Sequence, residues 1–81
     1  MGKANISGSR IGEARKQKGW SQSELAAALN VDFNIELDQS DISEIERCKR
    51  GVKDFELNAI AYLLDVSPIW LLRGDKIKNN E

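Results

Sequence analysis

Histidine is absent from the 81 residues, and cysteine and proline occur once each, as Cys48 and Pro68. Without histidine there is no Ser–His or Cys–His nucleophile and no zinc set that uses an imidazole. One cysteine cannot close an internal disulfide, and a lone thiol is expected of a reducing cytoplasm. Apolar runs are short: none approaches the ~18 residues of a membrane span, and no apolar segment near the start suggests a secretory signal. No Asn-Gly or Asp-Gly pair marks a hairpin, and no stretch reads as a strand pair. A paired-carboxylate cleft, a glycine-rich phosphate loop and a metal set are likewise missing, so the reading is not an enzyme and calls for no cofactor or metal. Nor does a small-molecule ligand suggest itself.

What is present is the composition of a folded domain, 41% hydrophobic and 31% charged. At this length a chain makes one small domain that buries only about 60–65% of its unfolded surface. The net charge of −1 conceals an uneven distribution. Residues 1–20 carry Lys3, Arg10, Arg15, Lys16 and Lys18 against Glu13. Residues 21–46 carry no base and seven acids, Glu24, Asp32, Glu36, Asp38, Asp41, Glu44 and Glu46. Arg47, Lys49, Arg50 and Lys53 then follow unopposed. Two basic blocks thus flank an acidic one.

The spacing predicts five short helices opened by side-chain caps and hydrophobic staples. Ser7 is the first expected cap, with Ile6 and Ile11 as staple and Gly19 as left-handed stop. Ser21 opens the second, in the capping box Ser21-Gln22-Ser23-Glu24, with Trp20 stapled to Leu25. Asp38 opens the third, between Leu37 and Ile42. A fourth starts near Asp54, where Leu57, Ile60, Ala61 and Leu64 share a face. Ser67, followed by Pro68 at the first helical position, opens the fifth. The expected core is Ile11, Ala14, Trp20, Leu25, Ala28, Leu29, Leu37, Ile42, Ile45, Leu57, Ile60, Leu64, Val66 and Leu71.

From Arg10 to Arg50 the residues resemble the helix-turn-helix domain of the phage-repressor (Cro/CI, or XRE) transcriptional regulators. Ser21-Gln22-Ser23-Glu24-Leu25-Ala26 followed by Ile42-Ser43-Glu44-Ile45-Glu46 carries the likeness, which extends over residues 6–74. The resemblance implies an all-α, five-helix, lambda-repressor-like DNA-binding domain, with residues 1–5 and 75–81 as flexible termini. Helix 2, from Ser21, would cross the phosphate backbone, and helix 3, about 38–47, would enter the major groove. Ser21 and Gln22 would then meet phosphate at a helix N-terminus. On helix 3, Gln39 is expected to read adenine, Ser40 and Ser43 to bond phosphate or a base edge, and Asp41 and Glu44 to accept from cytosine. Arg47 shares that outer face. Arg10, Lys49, Arg50 and Lys53 are candidates for phosphate contact. Arg15 and Glu46 match a structural ion pair, with phosphate contact the alternative for Arg15.

Two departures from the family pattern stand out. The connection from Asn30 to Leu37 is about six residues longer than usual and lacks glycine. Helix 2 is therefore expected to run on toward Phe33 with Asn34 as stop, leaving Phe33 and Ile35 as extra core or as an exposed contact. Cys48 stands where the family carries glycine, either as a small half-buried hydrophobe or as a redox-sensing thiol. The expected function is sequence-specific binding of double-stranded DNA by a small cytoplasmic regulator, a repressor of phage, plasmid or mobile-element type. It would act as a homodimer on a palindromic operator, joined through Ile69, Trp70, Leu72 and Ile77, unless Trp70 is a lid over the core. The acidic third helix supports the alternative, a protein-interaction module such as an antitoxin or accessory subunit.

Overall fold

The computed structural model describes residues 2–74. Among these, five helices follow in order: α1 (Gly8–Lys18), α2 (Gln22–Phe33), α3 (Gln39–Glu46), α4 (Asp54–Leu64) and α5 (Pro68–Arg73). None is long and apolar enough to cross a membrane. The Ile77 contact and the segment 75–81 lie outside the described residues.

Local chemistry sets most boundaries. At α2, Ser21 Oγ accepts from the Glu24 N–H at 3.0 Å, and Glu24 Oε1 accepts from the Ser21 N–H at 2.7 Å. These reciprocal bonds satisfy donors that the first turn leaves orphaned. Asn34, left-handed at φ 57°, ends the helix. Its N–H returns to the Asn30 carbonyl, the single bond of an αL stop, and the N–H of Ile35 reaches further back to Leu29. The long connection therefore begins with an extra turn of α2. At α5, Ser67 Oγ accepts from the Ile69 and Trp70 N–H groups.

The start of α1 corrects the expectation. Ser7 has helical angles and makes no side-chain cap, and Ile6 is 62% exposed, so no staple forms. Asn5 is the capping side chain. Its Oδ1 accepts from the N–H groups of Ser7 at 2.9 Å and Gly8 at 2.6 Å, while its Nδ2 donates to the carbonyls of Ile45 and Arg50. A carboxamide carries both acceptor and donor, so it serves the start of α1 and the end of α3 together, which a hydroxyl this short does not span. The Ala4 N–H also donates to the Cys48 carbonyl at 3.0 Å. Residues 4 and 5 are thus tied to the domain, not a free lead.

Ile11, Leu25, Leu29, Ile42, Ile45, Ile60 and Leu71 meet at the centre, fully enclosed. Ala14, Leu57, Leu64 and Val66 are buried around them, while Trp20, Ala28 and Leu37 pack on the rim, half-buried. Ala26, Ala59, Ala61 and Leu63 join the core beyond the expected set. Trp70 is buried as a lid, leaving Ile69 and Leu72 exposed on α5. Phe33 and Ile35 pack half-buried against the core, with the Phe33 ring edge-on to Tyr62 at 5.7 Å.

Candidate nucleic-acid interface

The beginnings of α2 and α3 lie side by side, and a chain of polar side chains runs from the interior to the first residue of α3. Arg15 Nε donates to Glu46 Oε2 at 2.6 Å, and its Nη2 donates to Glu46 Oε1 at 3.0 Å. Both side chains are about nine-tenths buried. Arg15 Nη1 donates further to the Trp20 carbonyl at 2.7 Å, tying the end of α1 into the same knot. The hydrogen bond to Glu46 raises the Arg15 pKa, outweighing the opposing effect of burial. Arg15 and Glu46 thus form a buried, two-bonded ion pair.

Gln22 continues the chain. Its Nε2 donates to Glu46 Oε1 at 3.0 Å, and its Oε1 accepts from Gln39 Nε2 at 2.6 Å. An ionised carboxylate only accepts, so Glu46 fixes which end of the Gln22 amide faces it. That orientation turns the Gln22 oxygen toward Gln39 and commits one Gln39 N–H. The Gln39 oxygen and remaining N–H are then the unspent groups of an exposed amide whose direction is set from the core. Gln22 itself is half-buried with both amide ends engaged, so its side chain positions Gln39 and is not a free phosphate ligand. Gly12 belongs to the same arrangement: a Cβ there would sit 3.1 Å from Glu46 Oε1, so the glycine lets the carboxylate lie close against α1.

The other expected contacts divide. Ser40, Glu44, Arg47 and Lys49 are exposed, and Ser43 is half-buried on the same helix. Arg47 Nε makes only a long bond of 3.4 Å to the Ser43 carbonyl. Asp41 is not a free acceptor for cytosine. Its Oδ2 accepts from the Asp38 N–H at 3.0 Å, while Asp38 Oδ1 accepts from the Asp41 N–H at 2.9 Å. This reciprocal cap commits Asp41 to starting α3.

Two arginines also have structural positions. Arg10 donates from Nε to the Leu71 carbonyl at 3.0 Å and from Nη2 to the carbonyls of Leu72 and Ile6. Its planar fork thus takes up orphan acceptors at the end of α5 and holds them to the start of α1. Arg50 donates from Nη1 to the Gly51 carbonyl and to Glu56 Oε1 at 3.3 Å. Glu56 is buried and also accepts from the Lys53 N–H, so Arg50 compensates a carboxylate that burial would otherwise penalise. Both leave the set of freely presented phosphate ligands. Lys53 is exposed and lies over the Phe55 ring at 5.9 Å.

Cys48 follows α3 with φ 63°, the left-handed conformation that the family's glycine would accept without strain. Its side chain is half-buried, and its Sγ lies 2.8 Å from where a Cβ on Gly8 would stand. It fills space between the start of α1 and the end of α3, as the packing reading expects.

A family model described as helix-turn-helix matches residues 11–71. No curated protein matches the chain.

Proposed function

The chain belongs to the helix-turn-helix family of Cro/CI (XRE) type, a family of DNA-binding regulatory domains, and from this premise we propose that it is a sequence-specific repressor of phage, plasmid or mobile-element type. The observation that carries the proposal is the oriented Gln39 amide at the start of α3, backed by Gln22, Glu46 and Arg15. An amide held before DNA arrives has less conformational freedom to lose on binding, and its oxygen and N–H suit the edge of adenine. Exposed Ser40 and Glu44, with half-buried Ser43, supply the other polar groups of the reading helix. Arg47 and Lys49 at its far end supply positive charge. At the start of α2, Ser21 Oγ accepts its cap bond and keeps its O–H to donate to a phosphate, beside the backbone N–H groups of Gln22 and Ser23.

One such helix reads few base pairs, so the active form is a homodimer on a palindromic cytoplasmic operator, with half-sites about 34 Å apart. Exposed Ile69 and Leu72 on α5, with Ile6 nearby, supply an apolar surface for the second copy. One phosphate contact each from Arg47 and Lys49 gives a log–log salt slope of about −4 for the dimer. Selection from a random duplex pool, followed by titration of enriched sites across salt concentrations, tests the proposal. Enrichment of a two-fold symmetric site with such a slope supports it, and failure to bind any duplex at low salt overturns it.

A further inference from the structure

The extra turn of α2 builds a surface that DNA recognition does not use. Val31, Asp32 and Phe33 form one wall of a groove of about 630 Å³ whose other walls are Asn58 and Tyr62 of α4 and Pro68 at the start of α5. Val31 is 80% exposed and Tyr62 69% exposed, yet Tyr62 is held edge-on against Phe33. The groove is thus open and braced from beneath, with Val31, Phe33, Ala61, Tyr62 and Pro68 offering apolar contact beside polar Asp32 and Asn58. Val31 follows Gln22 by nine residues on one continuous helix, a separation of about 14 Å along the axis. The face carrying Gln22 and Gln39 and this groove therefore occupy opposite ends of α2.

Charge selects the occupant. No lysine or arginine occurs in residues 21–46 or 54–72, and α2 and α4 have no basic residue in their last turns. The groove lies where α2 terminates, beside the last turns of α4. Asp32 lines it, and exposed Asp65 caps α4 in the left-handed conformation. Helix C-termini carry partial negative charge, and here carboxylates reinforce it instead of offsetting it. We propose that this groove docks a basic amphipathic segment of a partner protein, with an apolar side chain between Val31, Phe33 and Tyr62 and lysine or arginine facing Asp32 and Asp65. Such a partner would bind the regulator while α3 remains free for DNA.

The test uses the full chain and two synthetic helical peptides that share leucines at i, i+3 and i+4, one with lysines on the flanking positions and one with glutamates. The lysine peptide is expected to bind and to shift the amide resonances of residues 31–33, 58 and 62, with the glutamate peptide at least about tenfold weaker. Val31→Lys and Asp32→Lys, both on an exposed helix end, should each weaken the lysine peptide about tenfold, with unchanged thermal melts. Tyr62→Ala gives a second reading of the same site. Equal binding of both peptides, shifts located elsewhere, or indifference to Val31→Lys and Asp32→Lys overturns the proposal. Self-association of the chain that Val31→Lys dissolves assigns the groove to a second copy and overturns it equally.

Discussion

Arg15 and Glu46, 31 residues apart in the chain, meet through two nearly parallel hydrogen bonds with both side chains withdrawn from water. Removing either partner leaves the other charge buried without compensation. Arg15→Ala and Glu46→Ala should therefore each destabilise the fold by about 3 kcal/mol, read as a lower midpoint in denaturant melts. The Arg15 pKa is raised in the folded chain, so its stabilisation is complete below the ordinary arginine range and lost only as pH rises through the higher folded value. Across neutral pH the Arg15→Ala deficit should stay constant. Midpoints equal to the parent's would mean that the pair contributes nothing.

Arg10 reaches the carbonyl groups of Leu71, Leu72 and Ile6 with one guanidinium. Arg10→Ala leaves these acceptors to water and releases the end of α5, which should cost about 1–2 kcal/mol of stability. The salt dependence of duplex binding should not change, because no phosphate ligand is lost. A slope smaller by about one would return Arg10 to the DNA contacts.

Signals within one turn were legible in the sequence. Ser21 with Glu24, Asp38 before α3, and Ser67 with Pro68 placed three helix starts, and the apolar spacing placed every fully enclosed side chain of the centre. Groups whose partners lie far along the chain were not. Asn5 bonds to carbonyls 40 and 45 residues away, and Arg10 to one 61 residues away. Nothing local separates Arg10 from a solvated arginine, whereas the Asn5 cap on Ser7 and Gly8 lies within one turn and is a local signal. The bonds of the Gln22 amide to Glu46 and Gln39 likewise span the fold and leave no local signal. Asp41 differs, because Asp38-Gln39-Ser40-Asp41 has capping-box spacing. Its capping role is readable from that spacing alone.

Cys48 holds a left-handed backbone angle that costs a non-glycine residue about 1–2 kcal/mol. Cys48→Gly removes that strain but also the half-buried sulfur and some restraint on the unfolded chain. The net expectation is a gain of about 1 kcal/mol. Cys48→Ala keeps the strained angle and should gain nothing. Equal melting midpoints for the two variants would refute a backbone origin.

Gly8 is enclosed at the start of α1, where an added Cβ would run into the Ile45 carbonyl oxygen and approach Cys48 Sγ at 2.8 Å. The first obstacle is backbone and cannot rotate away. Gly8→Ala should therefore destabilise by about 1–3 kcal/mol despite alanine's better helix propensity. Combining it with Cys48→Gly relieves only the sulfur contact and should recover little beyond the gain that Cys48→Gly gives alone. Full recovery in the double variant would place the conflict at the sulfur instead.

The relation between Gln22 and Gln39 separates a reading group from one that merely touches DNA. Gln39→Ala should cost about 1–3 kcal/mol on a selected site and relax preference at one base pair per half-site. Gln22→Ala deletes no groove-facing atom. It leaves Gln39 Nε2 without the acceptor it holds at 2.6 Å, so the Gln39 amide can turn and its fixed orientation is lost. The same base preference should therefore relax in Gln22→Ala, while binding to unselected duplex changes little. Because both substitutions remove one function, the double variant should lose less than the sum, with a coupling of about 1 kcal/mol. Lys49→Ala is the contrast. It should weaken all sequences alike, reduce the salt slope by about one and add independently to either glutamine variant. Measured affinities of the parent, both single variants and the double variant on selected and scrambled duplexes complete the cycle. Strict additivity would mean that Gln22 meets phosphate on its own account, and an unrelaxed preference in Gln39→Ala would remove α3 as the reading helix.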